Sequence, residues 1–162
     1  GAGVISCYPH EGRHFDFYEI DPAVVEVAQD PDLFTYLSGC GSPYEIILGD
    51  ARLQLAAQPD ETYDIIVVDV FSSDSIPIHL LTREAFEIYR AKLRPGGFIV
   101  INTSNRYLEL KPVIAGAAEV LEQVENGVVV APALDDELRA LVAADQIRGD
   151  ATLLRDAAQL AT

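Results

Sequence analysis

Three apolar runs in this chain each end in an acidic residue, and helical patterns lie between them. That alternation leaves few folds open. "HFDFYEI" (His14 to Ile20) alternates and is rich in aromatics, the mark of a strand. "DPAVVEVAQD" follows as a helix, with Asp21 as N-cap and Pro22 at the first helical position, where a missing N–H costs nothing. "YEIILGD" (Tyr44 to Asp50) is a second strand and "ARLQLAAQ" its helix. "DIIVVD" (Asp64 to Asp69) is a third, and its unbroken apolar run predicts a parallel strand covered on both faces. Thr82 caps the amphipathic helix "TREAFEIYRAKL", which "RPGG" stops before a fourth strand, "FIVIN" (Phe98 to Asn102). A further helix lies within "YLELKPVIAGAAEVLEQV", ended by Gly127 before the short apolar "VVVA". Leu134 to Thr162 reads as two helices, the second capped by Asp150.

Strands alternating with helices predict an α/β fold with a doubly wound, mostly parallel sheet. No repeat, low-complexity stretch or linker divides it, so residues 1–162 are expected to form a single domain. "GAG" (Gly1 to Gly3) reads as the glycine turn after a first strand, with Val4 to Pro9 as the following helix. No strand precedes that turn in this sequence, so the sheet is expected to lack its first, central strand. The leading Gly suggests a piece of a longer chain.

Composition removes several function classes. With 26 acidic against 11 basic residues the net charge is −15, which argues against a nucleic-acid partner. The same field suits a cationic ligand, although solubility alone accounts for such a charge. No apolar run reaches the roughly 20 residues of a membrane span, so no membrane contact by this chain is expected. Cys7 and Cys40 fit no metal-ligand spacing, which predicts free thiols in a reducing, cytoplasmic setting. His10, His14 and His79 are too scattered to suggest a metal site, and none is expected.

In open α/β sheets ligands bind at the carboxyl ends of the strands. Gly1 and Gly3 would let backbone N–H groups approach a ligand there. Glu19, 18 residues after the first glycine, can accept hydrogen bonds from ribose hydroxyls. Asp50 is suited to an exocyclic amine of a base. Asp69 and then Asp74 occupy the loop "DVFSSDSIPIHLLT" after the third strand. Singly these acids are turn formers as readily as ligands; in this order they describe a nucleoside pocket.

"FYEIDPAVVEVA", "ILGDARLQL", "YDIIVVDVFSSDSIPIHLLTREAF" and "LRPGGFIVINTSNRYLEL" resemble the spermidine synthase-like branch of the class I S-adenosylmethionine-dependent transferases. The likeness is greatest to spermidine synthase-like domains fused to membrane-spanning, transporter-like segments, and it covers Gly1 to Ala118. It implies a Rossmann-like fold of the class I methyltransferase type, using decarboxylated S-adenosylmethionine or S-adenosylmethionine, with a polyamine as second substrate. By position, Gly1 and Gly3 would line the methionine-derived arm, Glu19 would bind ribose, and Asp50 with the backbone of Ala51 would bind adenine. Asp69 would orient or deprotonate the attacking amine, and Asp74 would be the second acid of that loop.

The sequence departs from that family in its loop. The synthases place two serines between their aspartates, D-S-S-D, whereas Asp69 and Asp74 are five apart, with Val70 and Phe71 intervening. The β-rich amino-terminal domain that helps those enzymes hold the polyamine lies outside the sequence. An acid ending an apolar strand is expected to be partly desolvated, which strengthens it as a base. Ser72 and Ser73 can hydrogen-bond the acids, and Pro77 stiffens the loop. His79, Asn105, Arg106 and Tyr107 are read as structural or solvent-facing before they are read as substrate contacts. Three functions stay open: aminopropyl transfer, methyl transfer by the same fold, and a non-catalytic nucleoside-binding domain. Whether the protein forms a homodimer is also open.

Overall fold

The computed structural model describes residues 4–7, 14–40, 43–69, 77–102, 111–118 and 127–131. The chain divides into two compact units, Gly1–Ala57 and Gln58–Thr162. Short parallel strand ladders alternate with helices in both, which makes the protein α/β. Among the described residues no helix is long and apolar enough to cross a membrane.

In the first unit β1 (Phe15–Glu19) runs parallel to β2 (Tyr44–Leu48), with Phe15 opposite Tyr44 and Glu19 opposite Leu48. Between them lie α1 (Pro22–Gln29) and a single turn, α2 (Tyr36–Gly39); α3 (Ala51–Ala57) follows β2. Asp21 caps α1 as expected, its Oδ1 accepting from Ala23 N at 2.8 Å, and Pro22 opens the helix. Of the helix expected over Val4 to Pro9, the described part is a 3₁₀ turn, Val4–Cys7. Ser6 in that turn is buried and its hydroxyl donates to the Tyr36 carbonyl at 3.2 Å.

Cys7 and Cys40 are joined in a disulfide, their Cα atoms 4.7 Å apart, so the expectation of free thiols is corrected. The two cysteines are 33 residues apart, and only the docking of the 3₁₀ turn on α2 brings them within bonding range. Cysteine usage therefore gives no argument for a reducing compartment.

In the second unit β3 (Tyr63–Val68), β4 (Leu93–Asn102) and β5 (Gly127–Ala131) form a parallel sheet in that order. The helices α4 (Arg83–Lys92) and α5 (Lys111–Ala118) complete the described elements of the unit, with a 3₁₀ turn at Ile78–Leu80. The strand covered on both faces is β4, the middle strand of the three, where Phe98 to Ile101 are all buried. β3 has only one described neighbour, and Tyr63, Ile65 and Val67 stay half-exposed. The expectation of full cover belonged one strand further along.

"RPGG" falls within the span of β4 yet outside its ladder. The register jumps from Tyr63 opposite Leu93 to Ile65 opposite Phe98, so those four residues bulge out. Gly96 has φ +80°, and a Cβ on Gly97 would lie 2.9 Å from the carbonyl oxygens of both Arg94 and Asp64. The bulge thus needs glycine at its end, and the predicted turn is there in substance.

Asp69 is exposed, contrary to the partial desolvation expected of an acid at the end of an apolar strand. Its neighbour Val68 is buried; the pleat that turns Val68 inward turns Asp69 out.

Candidate functional site at the carboxyl ends of the strands

Glu19 ends β1, and its carboxylate folds back over the start of the next turn. Oε1 accepts from Ile20 N at 2.8 Å and from Asp21 N at 3.0 Å, which holds the group in place. Among the described residues Oε2 accepts nothing, so it remains available to a hydroxyl donor. The carboxyl group is already oriented, and a ligand would not have to immobilise it.

The ladder continues past the end of β2, where Gly49 N donates to the Glu19 carbonyl at 2.8 Å. Gly49 has φ +135°, a conformation that side chains disfavour, and a Cβ there would meet the Gln54 amide at 2.8 Å. This turn delivers Asp50 to the same edge as Glu19. Asp50 Oδ1 accepts from Leu53 N at 3.1 Å and so caps α3. Ala51 opens that helix, and its N–H is among those an α-helix leaves without an intrahelical acceptor. Glu19, Asp50 and Ala51 therefore share one edge of one parallel pair, as the sequence reading expects.

In the second unit Asp69 directly follows β3, and Asn102 ends the neighbouring β4. With Val68 opposite Ile101, the two side chains meet one step further on, and Asn102 Nδ2 donates to Asp69 Oδ1 at 2.8 Å. Among the described residues Asp69 Oδ2 accepts no hydrogen bond. A carboxylate steadied through one oxygen and open at the other can both hold an ammonium and accept its proton. The sequence reading missed Asn102, which it treated only as the end of a strand. The available signal was that β3 and β4 deliver polar residues to the same edge.

Gly1, Gly3 and Asp74 lie outside the described residues, as do Asn105, Arg106 and Tyr107. His79 is exposed on the 3₁₀ turn before α4.

Comparison with known proteins yields distant relatives. No family model matches the chain. It is 34% identical to the polyamine aminopropyltransferase of Vibrio vulnificus over 104 residues, 63% of this chain and 33% of that protein. It is 31% identical to the spermidine synthase of Coffea arabica over 122 residues, 70% of this chain and 37% of the relative. Putrescine N-methyltransferase 2 of Nicotiana tabacum is 33% identical over 118 residues, 68% of this chain and 32% of its own length. The chain matches about a third of the length of these curated relatives. Two of the three are transferases by name, and the third is a spermidine synthase. Their names mention no transporter segment, so the fused architecture gains no support from them.

Proposed function

We propose that this chain is the nucleoside-binding part of a spermidine synthase-like transferase. It would move an aminopropyl group from decarboxylated S-adenosylmethionine to a polyamine such as putrescine. The observation that carries the reading is the pre-held Glu19 carboxylate, beside Asp50 on the carboxyl edge of β1 and β2. The names of the relatives supply the reaction class. The reading takes residues 1–162 as one Rossmann-like domain of the class I methyltransferase type.

In this proposal Glu19 Oε2 accepts from ribose and Asp50 from the adenine amine, while Gly1 and Gly3 line the methionine-derived arm. Asp69 Oδ2 receives a proton from the substrate ammonium. The freed amine nitrogen bonds to the carbon beside the sulfonium, the carbon–sulfur bond breaks, and its electron pair stays on sulfur as a neutral thioether. No metal or redox partner is required to balance this step. Asp74 would help to hold the far end of the amine.

A second reading, methyl transfer from S-adenosylmethionine to a diamine, is favoured by the likeness to a putrescine N-methyltransferase. The two share the amine-handling chemistry and differ in the carbon that is attacked.

Calorimetry with decarboxylated S-adenosylmethionine, S-adenosylmethionine and methylthioadenosine in parallel tests the nucleoside part. Glu19→Ala is expected to weaken all three by about 1–3 kcal/mol, the scale for losing a hydrogen bond to a charged group. Equal affinity of parent and variant would remove Glu19 from the site. Preference for the carboxylated co-substrate would favour methyl transfer.

A further inference from the structure

The opposite, starting end of β1 and β2 carries a group that the nucleoside reading does not use. His14 immediately precedes β1, Asp16 lies within it, and Asp16 is in register with Glu45 on β2. Residues two apart on a strand share a face, and in-register residues of parallel strands do too. One ligand atom from each of the three side chains lies within 4.8 Å of the others. His14 Nε2 is already 3.0 Å from Asp16 Oδ1. Strand geometry thus gathers the three, although nothing in their sequence spacing advertises it.

We infer that His14, Asp16 and Glu45 form a binding site for a divalent transition-metal ion of the zinc class. The donor set is one imidazole nitrogen and two carboxylate oxygens, which suits zinc or manganese better than calcium or magnesium. An ion about 2.1 Å from each donor holds its ligands roughly 3–4 Å apart, so closure needs side-chain movement on the order of 1 Å. Two further features favour an ion over a solvated surface group. Asp16 and Glu45 are like charges in register across a strand pair, and a cation shared by both would offset their repulsion. The Asp16 side chain is only 15% exposed, so water screens that repulsion incompletely. The His14 side chain is 56% exposed, which leaves room for water in the remaining coordination positions. The ion would clamp β1 to β2 at the end away from Glu19 and Asp50.

The test uses the untagged chain, without reductant so that Cys7 and Cys40 stay paired and do not offer thiolates. Zinc chloride is titrated by calorimetry, with magnesium and calcium as controls, and Tm is recorded with and without zinc. The parent is expected to bind one zinc and to melt higher in its presence, with no saturable heat from the controls. His14→Ala and Glu45→Gln are each expected to weaken zinc at least tenfold, since loss of even a supporting partner of a metal ligand costs about 10–100-fold. Glu45→Gln removes the opposed charge and keeps the shape, so its metal-free Tm should equal or exceed the parent's while the zinc-induced rise disappears. Absence of saturable zinc binding, or binding that both variants retain at parental strength, would overturn the site. Nucleoside affinity should be the same in parent and both variants, which separates this result from the fate of the Glu19 site.

Discussion

Asp69→Asn is expected to slow single-turnover aminopropyl transfer to putrescine by about 10²–10⁴-fold, the usual cost of losing a general base. Nucleoside affinity should stay at the parental value. The substitution keeps the planar side chain and can keep a hydrogen bond with Asn102, now 2.8 Å from Asp69 Oδ1. What it removes is the ability of the other oxygen to take a proton. Because Asp69 is exposed, its proposed use as a base would depend on position and not on desolvation. Asn102 supplies that position, so Asn102→Ala should slow transfer as well, by about 2–10-fold, the rate equivalent of a hydrogen bond worth roughly 0.5–1.5 kcal/mol. Supplying S-adenosylmethionine instead would show whether methyl transfer has the same dependence. An Asp69→Asn protein as fast as the parent would exclude Asp69 as the base. A parent that turns over no diamine with either co-substrate, yet binds the nucleoside, would make this a binding domain.

Much of this edge was legible because local rules and tertiary contacts agree there. Residue type alone marks Asp21 before Pro22, and Thr82 before the first turn of α4, as caps, and both accept the expected backbone hydrogen bond. The strands ending at Glu19 and Leu48 were legible from aromatic and β-branched runs, which is why Glu19 and Asp50 could be assigned to one edge. Apart from the exposure of Asp69, which the local pleat sets, and the 3₁₀ turn at Val4–Cys7, the misses are non-local. Which strand is covered on both faces depends on sheet order, which apolarity does not encode, and β4 took the place expected of β3. The Cys7–Cys40 bond depends on a 3₁₀ turn meeting α2 across more than thirty residues. His14, Asp16 and Glu45 meet through the register of a parallel pair, whereas a search for metal ligands along the chain looks for short spacings.

The largest stability effect is expected at Phe86. In α4 the buried positions are Ala85, Phe86, Tyr89 and Lys92, steps of one, three and three that define a single face. Phe86 is wholly buried and packs on Tyr89 with ring centroids 5.6 Å apart, a tilted pairing that adds to plain burial. Tyr89 is in turn fixed by its hydroxyl, which donates to the buried Leu80 carbonyl at 2.8 Å. At the end of the same face the Lys92 ammonium reaches Asp60 Oδ1 and the Gln58 carbonyl, both at 2.7 Å, so the helix is tied down beyond the cavity as well. With neighbours held on both sides, the space left by Phe86→Ala cannot collapse easily. The cost should therefore fall in the range of about 3–5 kcal/mol seen for buried Phe to Ala. Urea unfolding of the whole chain, followed by tyrosine fluorescence, would show the midpoint falling while the slope stays constant. Leu53→Ala in the first unit, where the side chain is 69% exposed, serves as the control and should change stability by no more than about 0.5 kcal/mol. Comparable losses in both variants would mean that Leu53 is covered in solution, and a small loss at Phe86 would mean that α4 can settle into the vacated space.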